Sequence, residues 1–181
     1  MRIANLAARM VRSARFRPEK LLHSVETRAF GIDLHWLPHA HGALEVARLA
    51  KTYHPAVPII FGGYSATYFH EELIRYPFVD YVLRGDATEL PLERLIQHIL
   101  AGTPPVDVPN LTWKDPQDGV HVNALTYVPD NLDDLILDYH PLVKAVVRDR
   151  DLLNYAPFSH WLEYPIMASL TVKGCTQNCT I

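Results

Sequence analysis

The stretch VPIIFGGYSATYFHEELIRYPFVDYVLRGD, residues 57–86, decides the fold class of this chain. Two short apolar runs, Val57–Phe61 and Val79–Leu83, have the length and composition of buried strands. The first run ends at Gly62-Gly63, and the residues that follow have the spacing of an amphipathic helix. The apolar positions of that helix are Tyr68, Phe69, Leu73 and Tyr76. A strand, a helix and a second strand in this order predict a βαβ unit with parallel strands.

The residues before this stretch repeat the alternation. Arg2–Leu6 and Ala29–His35 are predicted strands, and Pro18 is placed to open a helix at its first turn. Residues 41–53 form a predicted helix whose apolar side chains lie broadly on one side. Those side chains are Leu44, Ala47, Leu49, Ala50 and Tyr53.

Capping signals predict where two further helix ends lie. Ser65 is placed to cap the helix that follows Gly62-Gly63. Asp86 and Glu89 have the spacing of a capping box, so the next helix is expected to begin there. That helix has a strong apolar stripe and is expected to end near Gly102.

Residues 1–102 are therefore predicted to be an α/β domain with a doubly wound parallel sheet. The pattern contains four strands, whereas a flavodoxin-like, or Rossmann-like, sheet of this type has five. The domain is thus expected to lack one strand at its N-terminal edge.

The pattern changes after residue 102. Residues 103–165 are interpreted as a connector, within which residues 110–113 and 120–122 form a predicted β-hairpin. An acidic stretch follows the hairpin. Residues 166–172 are a predicted strand that leads into the last segment of the sequence.

Composition excludes several classes of protein. The 17 basic and 20 acidic side chains leave a net charge of -3, which argues against a nucleic-acid partner. No apolar run reaches the roughly 18 residues of a membrane span. The two cysteines lie within the last seven residues, so a disulfide scaffold is excluded and a cytoplasmic location is expected.

The two cysteines, Cys175 and Cys179, follow Gly174 on a loop after the last predicted strand. Two thiolates at this spacing can bind one soft metal centre. A structural zinc site uses four protein ligands and a [4Fe-4S] cluster needs at least three, so the pair alone is an incomplete site. The residues by themselves leave open a zinc or thiol redox element and a pair of structural thiols.

The segment GCTQNCTI, residues 174–181, resembles the start of the radical SAM signature Cys-x3-Cys-x2-Cys. The resemblance places the third cysteine at position 182, so we expect this sequence to be an N-terminal fragment of a longer protein. It implies that Cys175 and Cys179 ligate a [4Fe-4S] cluster that binds S-adenosylmethionine, with an electron donor such as flavodoxin or ferredoxin as partner. Residues 166–172 would then be the first strand of a partial TIM barrel, the radical SAM domain.

Residues 1–102 resemble the cobalamin-binding domain that precedes this barrel in B12-dependent radical SAM proteins. The similarity includes Gly31-Ile32-Asp33, Phe61-Gly62-Gly63 and residues 79–86. Cobalamin domains often contain Ser-x-Leu followed after 26 to 28 residues by Gly-Gly. Here Asp33-Leu34-His35 occupies the Ser-x-Leu place, and 26 residues separate it from Gly62.

The resemblance implies a set of cofactor-binding residues: Asp33, Leu34, His35, Gly62, Gly63 and Gly85. Both side chains of the Ser-x-Leu element differ here. The Asp-x-His-x-x-Gly element that supplies a lower axial histidine in some cobalamin domains is not matched, so His35 is not assigned as an axial ligand.

The resulting hypothesis is a fragment of a cobalamin-dependent radical SAM enzyme that performs radical methylation or rearrangement. The fragment alone is expected to be inactive. The alternative is a flavodoxin-like module that binds another small ligand without radical chemistry. The substrate is left open.

Overall fold

The structure is a computed structural model that describes residues 18–131 and 138–149. It divides into two compact units, Met1–Val128 and Pro129–Ile181. In the first unit the described strands are β1 (Phe30–Asp33), β2 (Ile59–Gly62), β3 (Tyr81–Leu83), β4 (Leu111–Lys114) and β5 (Val120–Val122). Its described helices are α1 (Pro18–Ser24), α2 (Ala40–Tyr53), α3 (Tyr64–Tyr68), α4 (His70–Leu73) and α5 (Glu89–Ala101), with a short 3-10 helix at Leu37–His39. The second unit contains α6 (His140–Asp149).

The five strands form one mixed sheet in the order β1-β2-β3-β4-β5. The first three strands are parallel, with Asp33 beside Gly62 and Phe61 beside Val82. Strand β4 is antiparallel to β3, and β5 is antiparallel to β4. The predicted α/β class is confirmed, but the sheet is mixed because the predicted hairpin adds to the edge of β3.

Helices cover both faces of the sheet, as expected for this class. On one face, Ala47 and Ala50 of α2 and Leu73 of α4 pack with Ile59 and Phe61 of β2. On the other face, α5 packs through a second cluster of buried side chains: Ile60, Leu83, Leu95, Val108, Leu111 and Trp113. Successive residues of β2 therefore face opposite cores, and Ile59, Ile60 and Phe61 are all buried.

Two capping predictions are wrong. Gly63 precedes α3 at the N-cap position, so Ser65 lies inside the helix, where its hydroxyl donates to the backbone carbonyl of His35. The N-cap residue of α5 is Thr88, so Asp86 does not occupy that position. The single helix predicted after Gly63 is two short helices, which meet at Phe69.

Several other predictions are confirmed within a few residues. They include the helices at 18 and at 41–53, the helix end near Gly102, and the hairpin. The predicted strands Arg2–Leu6 and 166–172 lie outside the described residues. The domain boundaries at 102 and 165 remain predictions. No helix within residues 18–131 or 138–149 is long and apolar enough to cross a membrane.

Candidate functional site

The carboxyl ends of the three parallel strands meet at one edge of the sheet. Strand β1 ends at Asp33, β2 at Gly62 and β3 at Leu83, and Asp33 is paired with Gly62 across the ladder. Ligands of open α/β sheets bind in the crevice outside the carboxyl ends of the strands. The loops that follow these three residues therefore form the candidate site.

The loop after β1 and the turn after β2 are joined by hydrogen bonds. The backbone N–H of Leu34 donates to the carbonyl of Gly62 at 2.7 Å, and the N–H of Ala66 donates to the carbonyl of Leu34 at 3.2 Å. The carbonyl of His35 accepts from both the backbone N–H and the hydroxyl of Ser65, at 3.3 and 3.0 Å. Two segments about 30 residues apart in sequence thus form one continuous surface.

Gly63 allows this close approach, and Gly62 leaves room beside it. Gly63 has a φ of +102°, a conformation that side chains rarely adopt. A Cβ there would collide with Oδ1 of Asp33 and would lie 2.9 Å from both the backbone N of His35 and the carbonyl carbon of Leu34. A Cβ on Gly62 would meet no atom within 4 Å. The first glycine therefore faces open space, and the second contacts the neighbouring loop.

The turn after β3 is tied to the same surface through Thr67 of α3. The hydroxyl of Thr67 accepts from the backbone N–H of Gly85 at 2.9 Å and donates to the carbonyl of Gly63 at 3.0 Å. Gly85 has a φ of +100°. A Cβ at Gly85 would lie 3.3 Å from the side-chain nitrogen of Asn110, so the turn is also packed tightly on its far side.

Residues at the two ends of the hairpin, which was predicted to be part of the connector, pack beside Gly85. Asn110 is 1% exposed and has a φ of +59°. Its side chain accepts from the backbone N–H groups of Thr126 and Tyr127 and donates to the carbonyl of Tyr127. These bonds hold the segment after the hairpin, which includes Leu125. Leu125 is 59% exposed, and its Cδ1 would be 3.7 Å from a Cβ at Gly85. The sequence signal that could have identified this residue is an Asn placed between Pro109 and a predicted strand.

Exposed aromatic side chains border the loops after β1 and β2. Trp36 is 62% exposed and Tyr64 is 58% exposed. The imidazole of His35 lies between them, with ring centroids 5.0 Å from Trp36 and 6.3 Å from Tyr64. Large aromatic side chains left in solvent at the edge of a binding crevice are suited to contact with a flat organic ligand.

A buried polar cluster lies behind the third turn. Arg84 is 7% exposed, its guanidinium donates to the carbonyl of Asn123, and its Nε has no hydrogen-bond partner. Burial lowers the pKa of Arg84. Burial, and secondly the positive charge of Arg84, lowers the pKa of His70, whose Nδ1 is 3.0 Å from the hydroxyl of Thr112. The neutral imidazole is therefore favoured at this position.

A cleft of about 890 Å³ lies at the opposite, amino edge of the parallel strands. Lys51 and Asp80 form an ion pair of 2.9 Å there, and Asp80 also accepts from the backbone N–H of Ile59 at 2.7 Å. Burial lowers the pKa of the nearby Lys114. The carboxylate of Asp80 is therefore already bonded to Lys51 and to the backbone of Ile59. Ligands of open α/β sheets bind at the carboxyl ends of the strands, so we assign the candidate site to that edge.

The structure brings the residues predicted to bind a cofactor to this one edge. Asp33 and His35 are exposed, whereas Leu34 is 1% exposed and belongs to the core, so only its backbone is available to a ligand. Cys175 and Cys179 lie outside the described residues. Within residues 18–131 and 138–149, no group of three or more His, Cys, Asp or Glu side chains could hold a metal ion.

Comparisons with known proteins find one matching family. Residues 6–95 match the family model of the B12 binding domain. No curated protein sequence matches the chain.

Two solved structures of TsrM, a radical S-adenosylmethionine methyltransferase from Kitasatospora setae, have a similar fold. One contains the tryptophan substrate and a SAM analogue, with a TM-score of 0.53 and 16% identity over 63% of this chain. The other contains cobalamin and a [4Fe-4S] cluster, with a TM-score of 0.52 and 17% identity over 65% of this chain. In both, the similar region spans 23% of the TsrM chain.

The family match covers β1, β2 and β3 and the loops that follow them, which form the candidate site. The structural similarity shows the same fold. Residues 6–95 of this chain are therefore similar to the B12 binding domain family.

Proposed function

We propose that this chain is the cobalamin-binding part of a cobalamin-dependent radical SAM enzyme. The observation that carries the proposal is that Asp33-Leu34-His35 and Gly62-Gly63 lie in contact at the carboxyl edge. Both elements fall within the segment that matches the B12 binding domain. These are the two elements that the resemblance assigned to the cofactor. Their side chains are small or turned into the core, apart from Asp33 and His35.

The described residues fit a bulky planar ligand with an extended tail. The open space at Gly62 admits a ligand atom close to the backbone, which a side chain at that position would prevent. His35, Trp36 and Tyr64 border the same surface and can cover an apolar ring. When bound, cobalamin supplies a cobalt centre that can carry a methyl group. Gly62, Gly63 and Gly85 would hold the cofactor, and Asp33 and His35 would supply polar contacts.

The electrostatic setting of the site suits a neutral or mixed-charge cofactor. Arg84 is buried and bonded to the hairpin, and the pKa of its neighbour His70 is lowered by burial and by the charge of Arg84. The exposed polar side chains at this edge include Asp33 at the end of β1, His35 in the loop after it and Asp86 in the turn after β3. The exposed carboxylates disfavour a strongly anionic ligand, whereas the polar groups and rings can contact amide side chains and flat rings.

The radical step in this proposal depends on Cys175 and Cys179. With one further thiolate they would hold a [4Fe-4S] cluster with one iron open to S-adenosylmethionine, whose reductive cleavage requires an external electron donor such as flavodoxin or ferredoxin. The outcome would be radical methylation or rearrangement. The support for this part is the spacing of the two cysteines and the fold shared with TsrM.

Titration of the 181-residue chain with hydroxocobalamin tests the proposal. We expect a saturable change in the visible spectrum of the cobalamin at one cofactor per chain. Flavin mononucleotide is the matched control ligand, because it also binds at the carboxyl edge of flavodoxin-like sheets. Absence of cobalamin binding at high micromolar concentration would overturn the proposal, and binding of the flavin alone would favour a module without radical chemistry.

Anaerobic reconstitution with iron and sulfide tests the cluster separately, in the full-length protein that carries this sequence. The proposal expects a broad visible absorbance band that is lost in Cys175→Ala and in Cys179→Ala. A band that survives in both variants would contradict ligation by these thiolates. Stoichiometric zinc in place of iron would favour a structural zinc element.

A further inference from the structure

Thr67 connects the turn after β2 with the turn after β3, beyond the point where the ladder between these two strands ends. The parallel ladder between β2 and β3 pairs Ile60 with Tyr81 and Phe61 with Val82, so it stops before Gly63 and Gly85. The hydroxyl of Thr67 bridges the two turns: it donates to the carbonyl of Gly63 at 3.0 Å and accepts from the N–H of Gly85 at 2.9 Å.

Both bonds are made by a single oxygen on a half-buried helical residue. A threonine hydroxyl has one donor and two acceptor positions, so the donor and one acceptor are used here. A helical threonine has two favoured χ1 rotamers because its hydroxyl can bond a carbonyl in the preceding turn, and the bond to the carbonyl of Gly63 is of this kind. The carbonyl of Gly63 also accepts from the backbone N–H of Thr67 at 3.0 Å, which fixes the start of α3 against the turn.

We propose that Thr67 is a positioning residue for the cobalamin site. It acts through the glycine turns at 63 and 85, and it holds them at a fixed separation before the ligand arrives. A ligand that contacts both turns then meets a preformed surface and avoids the entropy cost of ordering them. This inference rests on the proposed function, because it concerns the same site.

The test compares Thr67→Val with Thr67→Ser in the 181-residue chain. Valine keeps the branched shape and removes both hydrogen bonds, whereas serine keeps the hydroxyl. The first readout needs no ligand: amide hydrogen exchange at Gly85 should become faster in Thr67→Val and stay slow in Thr67→Ser, since this amide loses its acceptor in valine alone. The second readout is the dissociation constant for hydroxocobalamin, which we expect to rise about tenfold in Thr67→Val and to recover in Thr67→Ser.

Ile74→Val is the matched control for stability. Ile74 is buried in the core at the end of α4, and its truncation lowers stability without touching either turn. Its dissociation constant should equal that of the wild type.

The outcomes separate this inference from the proposed function. Failure of the wild type to bind cobalamin overturns both. If the wild type binds and Thr67→Val binds equally well, the positioning role is overturned and the proposed function stands. An equal loss of affinity in Ile74→Val also overturns the positioning role, because stability alone would then account for the change.

Discussion

Replacing Gly63 with alanine should damage both the fold and the site. The residue has a φ of +102°, which side chains rarely adopt, and the new methyl group would lie 2.9 Å from backbone atoms of Leu34 and His35. The carboxylate of Asp33 can rotate away from the methyl group. The two backbone atoms cannot, because hydrogen bonds to Gly62 and Ser65 hold that loop.

The expected loss of stability combines two effects. A residue held in a sparsely populated backbone conformation costs about 1 to 3 kcal/mol, and forcing extra volume into a packed region costs a similar amount. We therefore expect Gly63→Ala to lower the free energy of unfolding by about 3 kcal/mol. For a chain of this length, that loss corresponds to a fall in Tm of roughly 6 to 12 °C.

Gly62→Ala is the matched control, since it makes the same chemical change one residue earlier. A Cβ at Gly62 meets no atom within 4 Å, and its φ lies outside the left-handed region. Its stability should stay within about 1 kcal/mol of the wild type. Urea and thermal unfolding followed by circular dichroism measure both variants. Equal stability of the two variants would refute the reasoning, because it rests on the difference between the surroundings of the two glycines.

Three further results are expected. Gly62→Leu should keep the wild-type Tm within a few degrees but lose most of its affinity for hydroxocobalamin in a spectral titration, because the side chain fills the open space beside the turn; unchanged affinity would show that the ligand does not approach there. Trp36→Ala should weaken cobalamin binding by about fivefold, from loss of an aromatic contact, whereas Leu100→Ala, equally exposed at the amino edge, should leave it unchanged; equal effects would contradict the assignment. Because folding lowers the pKa of His70, the unfolded chain takes up a proton first as the pH falls through about 6.5, so the wild type should lose more stability between about pH 7.5 and 5.5 than His70→Asn does; parallel pH profiles of Tm would exclude this contribution.

Local patterns were sufficient to predict most of the elements around the site. The apolar runs at 57–61 and 79–83 and the helix at 41–53 follow from periodicity alone, and the structure contains each with shifted ends. The resemblance to cobalamin domains then identified the loops after β1 and β2. What it treated as one glycine pair is two positions with different surroundings. That difference depends on how the neighbouring strand is placed, so it could not be read from the sequence.

The parts that the sequence analysis missed depend on distant residues. The hairpin was predicted, but its antiparallel pairing with β3 joins segments about 30 residues apart. Serine is a residue type that often caps helices, yet the hydroxyl of Ser65 donates to the carbonyl of His35. Asn110 and Thr67 each connect two loops through one side chain. Asn110 had a local signal in the preceding Pro109, whereas the residues around Ser65 and Thr67 give no local signal for their contacts.

The central claim is that the cofactor binds at the carboxyl edge of the parallel strands. It is tested most directly by recording amide NMR spectra of the labelled 181-residue chain with and without hydroxocobalamin. We predict that the largest shifts fall on Gly62, Gly63 and Gly85. Shifts confined to Lys51 and Lys114, in the cleft at the amino edge, would contradict the claim.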